Sequence, residues 1–205
     1  MDFRALGPDA AAITLLLAHG AGAGMDSRFL ADVAAGLAAE GVRTVRFEFP
    51  YMQARSAGLR KPPDPAPRLL QCFRDAAAHW QDGRPLALGG KSLGGRMATM
   101  LADEIGAAAV VVFGYPFHPP DQPTRLRTAH LAELRTPTLI LQGERDPFGT
   151  RAEVGGYRLS PAVRIHWLPD GDHSLEPRKA SGRTAAANHA EAIAAAAEFL
   201  RAHAR

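Results

Sequence analysis

The 205 residues predict an α/β fold of three layers, in which a mainly parallel sheet is covered by helices on both faces. Three observations predict it. Short apolar runs alternate along the chain with stretches of helical pattern. The runs are continuously apolar rather than alternating, as suits strands buried on both faces. No repeat, linker or compositional break divides the sequence, so residues 1–205 read as one domain with room for a sizeable core.

The elements follow in order. Ile13 to Ala18 reads as a buried strand and Asp26 to Glu40 as a helix. Val42 to Phe49 is a second strand. A proline-rich loop, Pro62 to Pro67, leads into a helix over Leu69 to Trp80. Leu86 to Gly90 is the third strand, and Leu93 to Ile105 is a helix that begins immediately after it. Ala108 to Phe113, Thr138 to Gln142 and Val163 to Leu168 complete a set of six, and an alanine-rich helix, Thr184 to His203, ends the pattern. The segment between the fourth and fifth strands is short, which leaves little room for a lid domain.

Composition narrows the function classes. The net charge is +3, and the pI is near 9.4. The arginines are scattered rather than blocked, so there is no nucleic-acid footprint. One cysteine excludes an internal disulfide framework and supplies no metal pattern. Cys72, beside Phe73 in a helical stretch, reads as a buried structural thiol. No signal-peptide layout opens the chain and no apolar run spans a bilayer, so the expected location is the cytoplasm, with no membrane partner. No cofactor and no metal are expected, and oligomeric state is not legible.

The most informative segment is Gly89-Gly90-Lys91-Ser92-Leu93-Gly94-Gly95. An apolar strand stops at a Gly-x-Ser-x-Gly and a helix follows, which is the layout of a nucleophile elbow. Gly90 and Gly94 flank the serine because side chains there would clash as the backbone folds back. A serine needs a base and an acid. In a parallel α/β sheet, functional groups gather past the C-terminal strand ends. Ser92 follows the third strand, Asp146 the fifth and His173 the sixth. His173 would take the proton from Ser92, and Asp146 would hold the imidazole and stabilise its charged form. An unperturbed histidine titrates near pH ~6.5, and the aspartate is expected to move that upward. Oxyanion donors are expected at the backbone N–H of Leu93 and in the glycine-rich loop after the first strand, at Ala21 or Gly22.

The chain resembles the α/β-hydrolase superfamily. More narrowly, HGAGAGMDS (residues 19–27), FEFPYM (47–52), GGKSLGGRMA (89–98), GYPFHPP (114–120), LQGERDPFG (141–149) and GDHSL (171–175) are similar to a group of small, lidless hydrolase-like proteins. That group includes many bacterial proteins of unassigned substrate and a subunit of a eukaryotic chromatin complex. The resemblance implies a three-layer hydrolase fold, a six-stranded core that starts at the third strand of a full-length hydrolase sheet, and Ser92, Asp146 and His173 as a catalytic triad. It implies no substrate. The resulting expectation is a serine hydrolase acting on a small ester or thioester. The alternative is a non-catalytic interaction protein on the same fold, which fold alone does not separate from an enzyme.

Other residues have plainer roles. Asp172, next to His173, is the rival acid, but adjacent side chains diverge. His19 reads as structural, and His118 and His166 as packed or partly exposed. Lys91 occupies the position before the serine, where side chains generally point away from the active-site face, so a surface or packing role is expected. Tyr51 and Met52 follow the second strand, and Tyr115, Phe117 and His118 follow the fourth. These five are candidates for a substrate pocket or for loop anchors. A P-loop is excluded because Pro85 stands where its first glycine belongs. A dinucleotide fold, with Glu48 as the ribose acid, fails at Met25, where the third glycine belongs.

Overall fold

A computed structural model describes residues 1–204. All six expected strands form and lie parallel: β2 (Thr14–Ala18), β3 (Arg43–Phe47), β4 (Leu86–Lys91), β5 (Val110–Phe113), β6 (Thr138–Gly143) and β7 (Val163–Leu168). A seventh strand, β1 (Phe3–Leu6), precedes them and pairs antiparallel with β3, so the sheet runs β1-β3-β2-β4-β5-β6-β7. The chain therefore starts its sheet one strand earlier than the resemblance implied. β1 is held by Phe3, whose ring stacks on His79 at 4.9 Å and meets Trp80 edge-on at 5.7 Å.

Residue alternation along each strand feeds two cores. Leu15 and Leu17 of β2, Val111 and Phe113 of β5, and Leu139 and Leu141 of β6 pack against α1 (Arg28–Ala39) and α6 (Ala185–Ala202). Leu16 and Ala18, Val110 and Val112, and Ile140 pack on the other face against α3 (Ala66–His79) and α4 (Leu93–Ile105). The small side chains Ala192, Ala196 and Ala197 are fully or almost fully buried and let α6 approach the sheet closely. Each fully buried leucine in these layers contributes roughly 1.5–3 kcal/mol.

Two short helices were not expected. β3 stops at Phe47 because Pro50 starts α2 (Pro50–Ser56). α5 (Arg151–Val154) is closed by a capping box between Thr150 and Glu153. The proline-rich loop yields to α3 at Ala66, and its Asp64 is buried with Lys61 at 3.0 Å. Between β5 and β6 lies only a 3-10 turn, Ala129–Ala132, so no helical insert covers the sheet's C-terminal edge among the described residues. None of the described helices is long and apolar enough to cross a membrane.

Candidate active site

β4 delivers Ser92 into a left-handed backbone conformation, φ 51° and ψ −111°, and α4 begins at the next residue. A non-glycine residue held there costs about 1–3 kcal/mol. The surroundings enforce it. A Cβ on Gly90 would lie 2.6 Å from the Ala18 carbonyl oxygen, and one on Gly94 would lie 2.5 Å from the same atom. Only glycine allows β2, β4 and α4 to meet this closely.

Folding brings together the three residues separated in sequence. The Ser92 Oγ lies 2.9 Å from His173 Nε2, and His173 Nδ1 lies 2.7 Å from Asp146 Oδ2. A carboxylate only accepts, so Nδ1 carries the proton and Nε2 is free to accept the serine hydroxyl. Asp146 is fully buried and triply held: its Oδ2 also accepts from Gln142 Nε2 at 2.8 Å, and its Oδ1 from the Phe148 N–H at 2.9 Å. Gln142 in turn accepts from the Tyr115 N–H at 2.7 Å, tying the acid to the end of β5. The rival acid is turned elsewhere. Asp172 Oδ1 accepts from the N–H groups of Ser174 and Glu176 at 2.8 and 3.0 Å and shapes the loop. Asn188 and His189 of α6 clamp that loop through the carbonyls of Leu175 and Ser174.

Burial pushes the His173 pKa below its ordinary 6.5 and outweighs the hydrogen bond that His173 donates to Asp146, while the nearby Lys91 cation pushes in the same direction as burial. The upward shift expected from the aspartate alone is thus reversed. Protonation of His173 should be the acid limb of activity. For a reaction that needs neutral His173, that limb in kcat/KM is expected below pH ~6.5. A limb above pH ~7 in an ester-hydrolysis profile would contradict this environment.

The loop after β2 is anchored from behind. The Gly20 carbonyl oxygen accepts from His19 Nδ1 at 2.7 Å and from the Tyr51 hydroxyl at 3.0 Å. In a trans peptide the Ala21 N–H points opposite to that carbonyl. Arg55 Nη1 holds the Ala21 carbonyl at 3.1 Å, which orients the Gly22 N–H likewise. Glu48 closes the loop by accepting the Met25 N–H at 2.9 Å. The N–H groups of Ala21, Gly22 and Leu93 donate to no protein acceptor among the described residues. His19 is structural as expected: burial lowers its pKa, and its Nε2 accepts the Phe49 N–H at 3.0 Å.

A cavity of about 340 Å³ opens beside Ser92 and His173. The five sequence candidates for its lining do not reach it. Tyr51, Met52, Tyr115, Phe117 and His118 are all buried, the first four of them in the core under α3 and α4. The reason is local: α2 turns Tyr51 and Met52 inward, and the Tyr115 hydroxyl is held by the Arg127 carbonyl at 2.8 Å. The cavity wall is instead Phe29 and Leu30 of α1, Phe148, the glycine-rich loop, Ser27, Ser174 and Lys91. Phe148 lies over His173, ring centroids 4.2 Å apart. Lys91 was expected to point away, yet it lines this cavity. Gln142 and Phe148 were legible only as parts of the segment around Asp146.

The other titratable groups have local roles. Burial raises the Cys72 thiol to about 12, which makes it inert. His118 hydrogen-bonds the Pro119 carbonyl at 2.8 Å, and His166 pairs with Glu191 at 2.8 Å. Among the described residues no cluster of three or more His, Cys, Asp or Glu side chains is grouped to hold a metal ion.

The profile of a family described as alpha/beta hydrolase domain matches residues 11–201. Solved structures resemble the whole chain. A lidless α/β serine hydrolase from Xanthomonas campestris superposes with a TM-score of 0.73 at 19% identity, covering 97% of this chain and 89% of that one. A dienelactone hydrolase from Anabaena variabilis gives 0.72 at 24% identity, covering 98% and 90%. Est1E from Butyrivibrio proteoclasticus, solved with ferulic acid bound, gives 0.70 at 14% identity, covering 98% and 95%.

Proposed function

This chain belongs to the α/β-hydrolase family, and from that premise we propose that it is a serine hydrolase that cleaves a small ester or thioester through an acyl-enzyme. The observation that carries the reading is the unbroken hydrogen-bond chain Ser92–His173–Asp146 opening onto one cavity. In the first half-reaction Ser92 Oγ bonds to the acyl carbon while His173 Nε2 takes its proton. The N–H groups of Leu93 and of Ala21 or Gly22 receive the oxyanion. Collapse breaks the bond to the leaving group, which takes the proton from His173. Water then enters and loses a proton to His173 as its oxygen bonds to the acyl carbon; collapse breaks the acyl–Oγ bond, His173 returns the proton to the Ser92 Oγ, and the acid leaves. Asp146 keeps the imidazole in the reactive tautomer throughout.

Substrate size follows from the cavity. About 340 Å³ is at the small end of ligand sites, and Phe29 and Phe148 form part of its wall. A panel of soluble p-nitrophenyl esters and matching thioesters, from acetate to palmitate, tests this. The expected optimum is at acetate to butyrate, with octanoate slower by about tenfold or more in kcat/KM, roughly 1.4 kcal/mol. No rate jump is expected when substrate passes its solubility limit, since no mobile cover has to open. Rates that climb with chain length would contradict the assignment.

A further inference from the structure

We infer that Lys91 is a positioning residue that ties the base to the nucleophile's own strand and holds His173 in its unprotonated form. The inference rests on the serine-hydrolase reading above for its consequence in catalysis. Lys91 is the last residue of β4, adjacent to Ser92. Its side chain passes Gly20, where an added Cβ would lie 3.5 Å from its Cγ, and its Nζ donates to the backbone carbonyl of His173. One side chain therefore spans from the backbone that presents the nucleophile to the backbone that presents the base.

Filling this space alone would favour an apolar residue, because burying a cation is costly. The charge is compensated only in part. The Nζ sits 5.6 Å from the Phe29 ring centroid, and Asp146 and Asp172 are its acidic neighbours. Burial pushes the Lys91 pKa down to about 8, against those two carboxylates. Such a cation acts on His173 in two ways. It restrains the loop that carries the imidazole, and it disfavours imidazolium before substrate arrives. The groups facing His173 are Ser92 and Lys91 from β4, Asp146 from the loop after β6 and Asp172 from its own loop. From α6, His189 bonds the neighbouring Ser174 carbonyl, and α1 presents Phe29. Among these groups Lys91 is the cation whose removal should raise the His173 pKa.

The test compares Lys91→Met and Lys91→Arg with the unaltered protein. The first readout is the His173 imidazole titration followed by NMR, which needs no turnover. Lys91→Met is expected to raise that pKa by about half a unit or more, and Lys91→Arg to leave it near its original position. The second readout is the pH profile on a soluble activated ester. Lys91→Met should lower plateau kcat by about tenfold to a hundredfold through misplacement of the base, with KM changed less than about threefold. Its acid limb should move up with the NMR value, and Lys91→Arg should recover most of the rate. If Lys91→Met does not fold, Lys91→Gln, which keeps a donor without charge, is measured instead. It should show the titration shift with a smaller loss of rate. An unshifted His173 titration in the uncharged variant would overturn the inference. So would a loss of rate that arginine does not restore. A shifted titration in a protein that turns over no ester would leave the tie standing and remove the hydrolase reading.

Discussion

Replacing Ser92 by alanine is expected to lower kcat by about 10⁶-fold, the scale found when the nucleophile of a serine triad is removed. The change deletes the Oγ that lies 2.9 Å from His173 Nε2, the nucleophile that the imidazole activates. Ser27 and Ser174 also line the cavity, but neither is held by the strand-to-helix turn that presents Ser92. The fold should survive, because alanine suffers no more strain than serine at φ 51°. A urea-unfolding midpoint close to the original, together with kcat lowered by about 10⁶-fold, would meet the expectation. Retention of more than about one per cent of kcat would mean that another group performs the attack.

Asp146→Asn should lower kcat by about 10⁴-fold, while Asp172→Asn should cost less than about tenfold. The contrast comes from what each carboxylate accepts. Asp146 receives three donors: His173 Nδ1 and Gln142 Nε2 on one oxygen and the Phe148 N–H on the other. An amide puts an NH₂ in place of one oxygen, so at least one donor faces another donor. Turning the NH₂ toward Phe148 loses that bond. Turning it toward His173 forces the ring into the wrong tautomer. Asp172 uses one oxygen for two backbone N–H groups, and an asparagine carbonyl oxygen does the same. Measured side by side on one activated ester, the reverse ranking would transfer the acid's role to Asp172.

Much of this arrangement was readable in the sequence because backbone rules produce it. Ser92 sits where an apolar strand meets a glycine-flanked turn, Asp146 follows the buried strand β6, and His173 follows the edge strand β7. The parallel sheet places all three ends on one edge. β1 was not readable: Arg4, Ala5 and Leu6 are exposed, and only Phe3 is partly buried, so no apolar run announces it. The pocket was misread because following a strand in sequence does not decide side-chain direction. Tyr51 is carried inward by a helix that starts at Pro50, whereas Phe29, in the first turn of α1, reaches the cavity from an element that follows no strand directly. Lys91 was misread for the same reason. Its direction depends on the space beside Gly20 and on a carbonyl 82 residues away, and neither is visible locally. The shift of His173 was legible in its attractive part, the aspartate, but the opposing desolvation exists only once folding buries the ring beside Phe148.

The central claim is that Ser92 is the residue acylated during turnover, and a fluorophosphonate probe on the folded protein tests it most directly. Trypsin should release the pentapeptide Ser92-Leu93-Gly94-Gly95-Arg96 after Lys91, and mass spectrometry can locate the adduct within it. The expected result is one adduct per chain, on Ser92, lost in His173→Ala. An adduct on Ser27 or Ser174, or none on folded protein, would contradict the account and leave the chain as a hydrolase fold without this chemistry.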